Sequence, residues 1–234
     1  MRDGAFILDV LRQLAAGIPL TLELASCSLL LGALLGLAIA FAALSARRAP
    51  RVLAWFYVEV IRSTPLLVLM FLIYYGLGQY AGLRDSVLWP LLRQPYWCAL
   101  LALTINTSSY TGEIIRGGLL SVPQGALEAG RACGMSRPLL YRRIILPLAI
   151  RQALPAYGNE VMSMIKGTSL GSLVTLMEVT GIASAIVSET YRPMAVFIAA
   201  GILYFGINFI LTRGIMLLEY RLNANLRPPS AGAR

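Results

Sequence analysis

The chain is 234 residues long, 58% of them hydrophobic and 13% charged, with a mean hydropathy of +0.71. A soluble domain carries roughly a quarter of its residues as charges, so this chain has too little polar surface to cover itself in water, and its length suits one membrane domain. The formal charge of +9 would suit nucleic acid, but the arginines gather in alternate loops between apolar runs, which is the pattern of membrane topology.

Residues 1–16 place Phe6, Ile7, Val10, Leu11 and Leu14 at helical spacing with Asp9, Arg12 and Gln13 mostly between them. This predicts a short amphipathic helix at the membrane surface, with a frayed terminus as the alternative. Ile18 to Leu44 is the first run long enough to cross a hydrocarbon core of roughly 30 Å. No cleavable signal peptide is expected, because this run starts late and is too long for one. Gly32 and Gly36 form a small-xxx-small step that allows another helix close. Leu53 to Gly78 is the second span. Ser63-Thr64-Pro65 interrupts it, and Pro65 predicts a kink whose freed carbonyl Thr64 or a neighbouring helix can satisfy. Glu59 and Arg62, three apart, are read as an ion pair.

Gln79 to Pro95 is a loop, with Trp89 and then Trp97 suited to the membrane–water interface. Tyr96 to Ile115 is the third span, and Thr104, Asn106, Thr107, Ser108, Ser109 and Tyr110 are too polar to face lipid. A long polar stretch follows, then a fourth span from Leu148 to about Val174. Ser184 to Pro193 reads as a short polar loop, Met194 to Leu218 as the fifth span, and residues 220–234 as a cytoplasmic tail, polar and mobile from Asn223. The expectation is an all-α membrane protein with its transmembrane domain over 17–219.

Arg47, Arg48 and Arg51, then Arg116 to Arg151, then Arg213, Arg221 and Arg227 fall on one side. The positive-inside rule places that side in the cytoplasm, so five spans put the N-terminus outside and the C-terminus inside. The chain has no histidine, which removes the commonest metal ligand and general base. Cys27, Cys98 and Cys133 stand apart, so neither a metal site nor a disulfide is expected, and no catalytic constellation is present.

Asn159 and Glu160 lie deep in the fourth span, and a carboxylate there is costly enough to be a functional candidate. Glu160 can receive a guanidinium or ammonium, with an internal pair to Lys166 or an arginine as the alternative. Lys166-Gly167-Thr168-Ser169 would interrupt the helix and expose backbone groups, which puts Thr168 and Ser169 in a substrate path with Thr64 and Tyr110. Glu113 pairs equally well with Arg116. Glu178 and Glu189 are read as members of solvated loops near the outer face.

The stretch Glu128 to Pro147 (EAGRACGMSRPLLYRRIILP) carries Glu128-Ala129-Gly130, three residues, Gly134, nine residues, Ile144, one residue and Leu146-Pro147. This spacing closely resembles the EAA loop of binding-protein-dependent ABC importer permeases. It departs from that pattern at Gly130, where the family usually has Ala. IRSTPLL at Ile61, ALTINTSSYTGEIIRG from Ala102, SVPQG from Ser121 and LPAYGNEVMSMIKGTSL from Leu154 are similar to the polar amino acid permeases. FLIYYGLGQ and TLMEVTG lean toward arginine and histidine importers.

The resemblance implies a type I ABC permease fold, with five transmembrane helices, an N-terminal amphipathic helix and a cytoplasmic coupling helix. It implies a second permease subunit (a sister or an identical copy), two cytoplasmic ATP-binding subunits and a periplasmic solute-binding protein, in a bacterial inner membrane. No Walker A pattern is present, so ATP and Mg would sit on the partner ATPase and this chain binds no cofactor. The loop would dock on that ATPase through Glu128, Ala129, Gly130 and Gly134. Arg142 and Arg143 would hold it or anionic lipid, unless they only anchor topology. The cargo implied is a polar amino acid, most specifically a basic one such as arginine, histidine, lysine or ornithine. Rivals are glutamine, glutamate or an opine, and, more distantly, an ion-gradient transporter or channel.

Overall fold

The computed structural model describes residues 2–222, with side chains from residue 5. The tail expected from residue 220 is still helical to Leu222, and its remainder from 223, with Arg227 used in the topology, lies outside the described residues. Every regular element described is helical.

Helix α1 (Arg2–Ala15) is amphipathic as expected, but protein covers its apolar face. Val10 and Leu14 are buried against Val179, Ala183, Val196 and Ala199. It is therefore a packed element of the bundle and not a free surface helix. α2 (Ile18–Ala43) follows after Gly17, with Pro19 in its first turn, where no backbone donor is needed. At about 1.5 Å per residue it is long enough to cross the hydrocarbon core.

α3 (Arg48–Ser63) and α4 (Leu66–Phe71) form the second span, α4 running on through a π turn (Leu72–Gly76) and a 3-10 turn (Leu77–Gln79). The two halves meet at 102°. The expected kink is thus a full break. Pro65 drives the preceding residue out of the helical region, and Thr64 (φ −94°, ψ 123°) and Pro65 (φ −56°, ψ 136°) are both extended. The Thr64 N–H turns to Ile61 O at 3.2 Å, and its hydroxyl donates to Val60 O at 2.8 Å, so the orphaned carbonyl is satisfied as anticipated.

Two short helices, α5 (Ala81–Arg84) and α6 (Trp89–Leu92), lead to α7 (Pro95–Leu120), the central helix. Gly32 and Gly36 of α2 face it. A Cβ on Gly36 would stand 2.9 Å from the Gly112 nitrogen and 3.0 Å from Ser108 O, so only glycine permits this approach. The polar residues of α7 turn inward. Thr107, Ser108 and Ser109 are fully buried, and Ser108 meets the Tyr57 hydroxyl of α3 at 2.7 Å.

α8 (Gln124–Ala132) and α9 (Arg137–Leu140) lie in the polar stretch, and a π turn (Tyr141–Ile145) joins α9 to α10 (Leu146–Gly167). The chain then tightens into a 3-10 segment, Thr168–Val174. Where a polar loop was expected over 184–193, helix α11 (Val179–Thr190) forms instead. Val179, Ala183 and Ile186 recur at helical spacing and bury against α1 and α12, which overrides the serines between them. α12 (Pro193–Leu222) closes the bundle.

By length and composition α2 and α12 can cross a membrane alone, while α3 with α4–Gln79, and Arg137–Val174 with α11, do so as bent pairs. α7, 26 residues long, is long enough for the expected fifth crossing but too polar to qualify by composition, and its polar run is buried against its neighbours.

Candidate functional site

The break in the second span opens a cavity of about 290 Å³ between α3, α4, α7 and α10. Its polar lining is Arg62, Thr64, Asn106, Tyr110, Glu160 and Ser163. Each arrives by a local rule. Thr64 is exposed to the cavity because Pro65 ends the helix. Arg62 lies in the last turn before that break. Asn106 and Tyr110 are four apart on one face of α7, and Glu160 and Ser163 are three apart on α10.

Thr107, fully buried on α7, donates a hydrogen bond of 2.7 Å to Glu160 Oε1 and so ties α7 to α10. The Arg62 guanidinium lies 5.1 Å from the centroid of the Tyr110 ring, in cation–π range. The pair expected between Glu59 and Arg62 is not formed, because Arg62 has the aromatic face and the cavity to turn to. Glu160 forms no salt bridge with Lys166 or an arginine among the described residues, and Arg62, across the same cavity, is the cation whose charge acts on it. Glu113 and Arg116 do pair, at 2.7 Å. The cavity thus presents one carboxylate and one guanidinium with neutral hydroxyl and amide groups between them, a set able to hold a zwitterion by both ends.

Three sequence candidates stand elsewhere. Asn159 is exposed on another face of α10. Thr168 is wholly buried, its hydroxyl on Ile165 O at 2.7 Å, and Ser169 bonds Lys166 O at 2.6 Å. The Gly167-Thr168-Ser169 segment therefore winds tighter instead of opening, and its hydroxyls cap the carbonyls that the end of α10 frees. Arg62, Asn106 and Ser163 are the lining residues that the sequence candidates lacked. The break at Pro65 was the available signal for Arg62, and the polar run of α7 for Asn106.

Glu178 overturns its solvated reading. It is fully buried and caps α11, accepting from Thr180 N at 2.9 Å, Gly181 N at 2.8 Å and the Tyr204 hydroxyl of α12 at 2.7 Å. Glu189 is exposed.

A second candidate surface is α8. Gly134 takes φ +75°, the left-handed turn that its spacing predicted. Met135 N donates to Gly130 O at 3.1 Å and Gly134 N to Arg131 O at 2.9 Å, a Schellman closure. Glu128 and Ala129 are exposed, as are Arg142 and Arg143. Gly130 points the other way. It is buried, and a Cβ there would come within 2.5 Å of a Leu140 methyl and 2.8 Å of an Ile144 methyl. Gly130 is thus a seat for the helix below it and does not belong to the outer contact face.

Comparison with known proteins places these features in context. Residues 28–224 match the family of binding-protein-dependent transport system inner membrane components. The chain is 54% identical over 220 residues to the octopine transport system permease protein OccM of Rhizobium meliloti, covering 94% of this chain and 90% of that one. It is 52% identical over 231 residues to the nopaline transport system permease protein NocM of Agrobacterium fabrum, covering 98% and 96%. The arginine ABC transporter permease protein ArtM of Escherichia coli is 42% identical over 172 residues, covering 72% and 77%. In structure, a chain of an amino acid ABC transporter crystallised with histidines superposes with a TM-score of 0.82 at 34% identity, covering 93% of this chain and 97% of its own. The identity to these two opine permeases exceeds that to the arginine permease, so the relatives support the amino acid permease without singling out arginine and histidine importers.

Proposed function

The chain belongs to the binding-protein-dependent transport system inner membrane components and is the permease subunit of an ABC amino acid importer; from this premise we propose that its cargo carries a guanidinium, as arginine or an opine conjugate of it. The observation that carries this reading is the cavity that sets Glu160 opposite Arg62. Octopine and nopaline are arginine conjugates that keep the guanidinium and add carboxylate. Glu160 would take the cationic end bidentately, and Arg62, held over Tyr110, would take a carboxylate. Free basic amino acids satisfy the same two groups with one carboxylate fewer than octopine and two fewer than nopaline. The similarity to two opine permeases favours the conjugates.

The fold calls for a partner permease and ATPase subunits. In the proposed complex ATP and Mg sit on the ATPases, a solute-binding protein delivers cargo at the outer face, and α8 lies in the cytoplasm. Glu128, Ala129, Arg142 and Arg143 meet the ATPase surface. Movement of α8 passes through Gly130 onto Leu140 and Ile144, and from there along α10 to Glu160. Binding and drive thus meet on one helix.

The test is ATP hydrolysis by the reconstituted complex with its binding protein, across octopine, nopaline, arginine, histidine, lysine, ornithine and glutamine. Stimulation by the guanidinium compounds, with the half-saturating concentration raised at least about tenfold in Glu160→Gln, is the expected result. Equal stimulation by glutamine, or an unchanged ranking in the variant, would overturn the assignment.

A further inference from the structure

A separate concavity of about 690 Å³ lies where the ends of α2 and α7 meet α8 and α9. Its floor is apolar, built by Leu44, Leu119, Val122, Leu127, Leu140 and Ile145, and Arg131 and Arg137 also line it. Neither arginine makes a salt bridge with a described carboxylate. Glu128, the acidic residue of α8, does not line the groove. Two guanidiniums therefore stand beside a greasy trough without an internal counter-charge.

The groove is continuous with a surface that lipid must cover. On α2, Leu30 (68% exposed), Leu34 (68%), Leu37 (42%) and Phe41 (58%) recur at helical spacing, and Phe41 lines the groove. An acyl chain lying along this stripe leads directly into the trough, which brings its headgroup to the level of Arg131 and Arg137. Soluble phosphate would use the arginines but leave the apolar floor in water, and an apolar peptide would leave the arginines unpaired. An anionic head on an apolar tail satisfies both demands, and the continuity of the trough with the exposed apolar stripe of α2 favours a lipid as its source.

We infer that this groove binds an anionic phospholipid, with an acyl chain in the trough and the phosphate between Arg131 and Arg137, so that a lipid wedges the base of α8 against α2 and α7. A basic pocket among helices at the membrane boundary is the kind of site that holds such headgroups. The inference rests on the reading of α8 as the segment at the cytoplasmic leaflet, but it does not depend on the cargo assigned above.

The experiment uses the assembled permease–ATPase complex in nanodiscs of phosphatidylethanolamine containing graded phosphatidylglycerol in both leaflets. Lipid retained after detergent extraction is counted by native mass spectrometry. Symmetric leaflets make the result independent of orientation, and no cargo is present, so neither earlier reading is being tested. Wild type is expected to retain phosphatidylglycerol selectively. Arg131→Gln and Arg137→Gln should each weaken retention about fivefold, and together about twenty-five-fold. Arg48→Gln, outside the groove, should retain lipid as wild type does. Equal loss in Arg48→Gln would reduce the effect to diffuse surface charge and overturn the site. Retention by the permease alone that vanishes when the ATPase docks would assign the groove to the ATPase, and overturn it equally.

Discussion

The Thr107 hydroxyl, wholly buried on α7, holds the Glu160 carboxylate of α10 at 2.7 Å, so the acid in the cavity is aimed by a residue that does not line it. Thr107→Val keeps the shape and removes the donor. A hydrogen bond to a charged group contributes about 1.5–3 kcal/mol. Thr107→Val should therefore raise the cargo concentration for half-maximal ATPase stimulation by roughly tenfold or more, while Thr107→Ser stays near wild type. Indistinguishable curves for the two variants would mean that the bond does not position Glu160.

The Glu178 cap joins α11 to α12 through two backbone donors and Tyr204. Glu178→Ala leaves these donors buried without an acceptor. The loss of a cap at about 1 kcal/mol and of a buried partner at about 1–3 kcal/mol predicts a clear drop in the thermal transition of the purified permease. Glu178→Gln, which keeps one acceptor oxygen, should fall between. An unchanged transition in Glu178→Ala would remove this residue from the account of the fold.

Gly134 ends α8 with φ +75°. A left-handed conformation costs a residue with a side chain about 1–2 kcal/mol, and asparagine tolerates it best. Gly134→Val should misdirect α8 and lower transport per ATP hydrolysed, whereas Gly134→Asn should couple nearly normally. The ratio of cargo moved to phosphate released in proteoliposomes decides between them.

Among the three cysteines, Cys133 is exposed, Cys27 half-buried and Cys98 buried. An impermeant maleimide should label Cys133 in inverted vesicles and not in spheroplasts, and bound ATPase should protect it. Labelling from the outer side would reverse the proposed orientation.

What could be read from the sequence follows the range of the forces involved. α2 and α12 are continuous apolar runs, and bilayer thickness sets their length. The turn at Gly134 depends on one residue's backbone, so its spacing alone predicted it. Arg62 departs from its sequence reading because the i,i+3 rule sees only Glu59, whereas Tyr110, on another helix, faces the guanidinium. Glu178 reads as a surface acid in sequence for a related reason. Glutamate is a weak N-cap signal next to serine or aspartate, and its burial depends on Tyr204 arriving from α12. Glu160 was found by its cost in the bilayer, but the bond that aims it joins distant parts of the chain and has no local signature.

The contact of Gly36 with Gly112 and Ser108 brings two backbones together with no side chain between them. Flexible side chains accommodate sliding by changing rotamer, and the side chains that flank this seam, Thr111, Thr107 and Ile39, are β-branched and stiff at χ1. The seam favours α2 and α7 moving as one stave, and a second close approach, Gly118 of α7 against Ala149 O of α10, joins α10 to the same frame. The glycines thus favour a rigid α2–α7–α10 frame, with the break at Pro65 and its cavity left as the place where the subunit can bend.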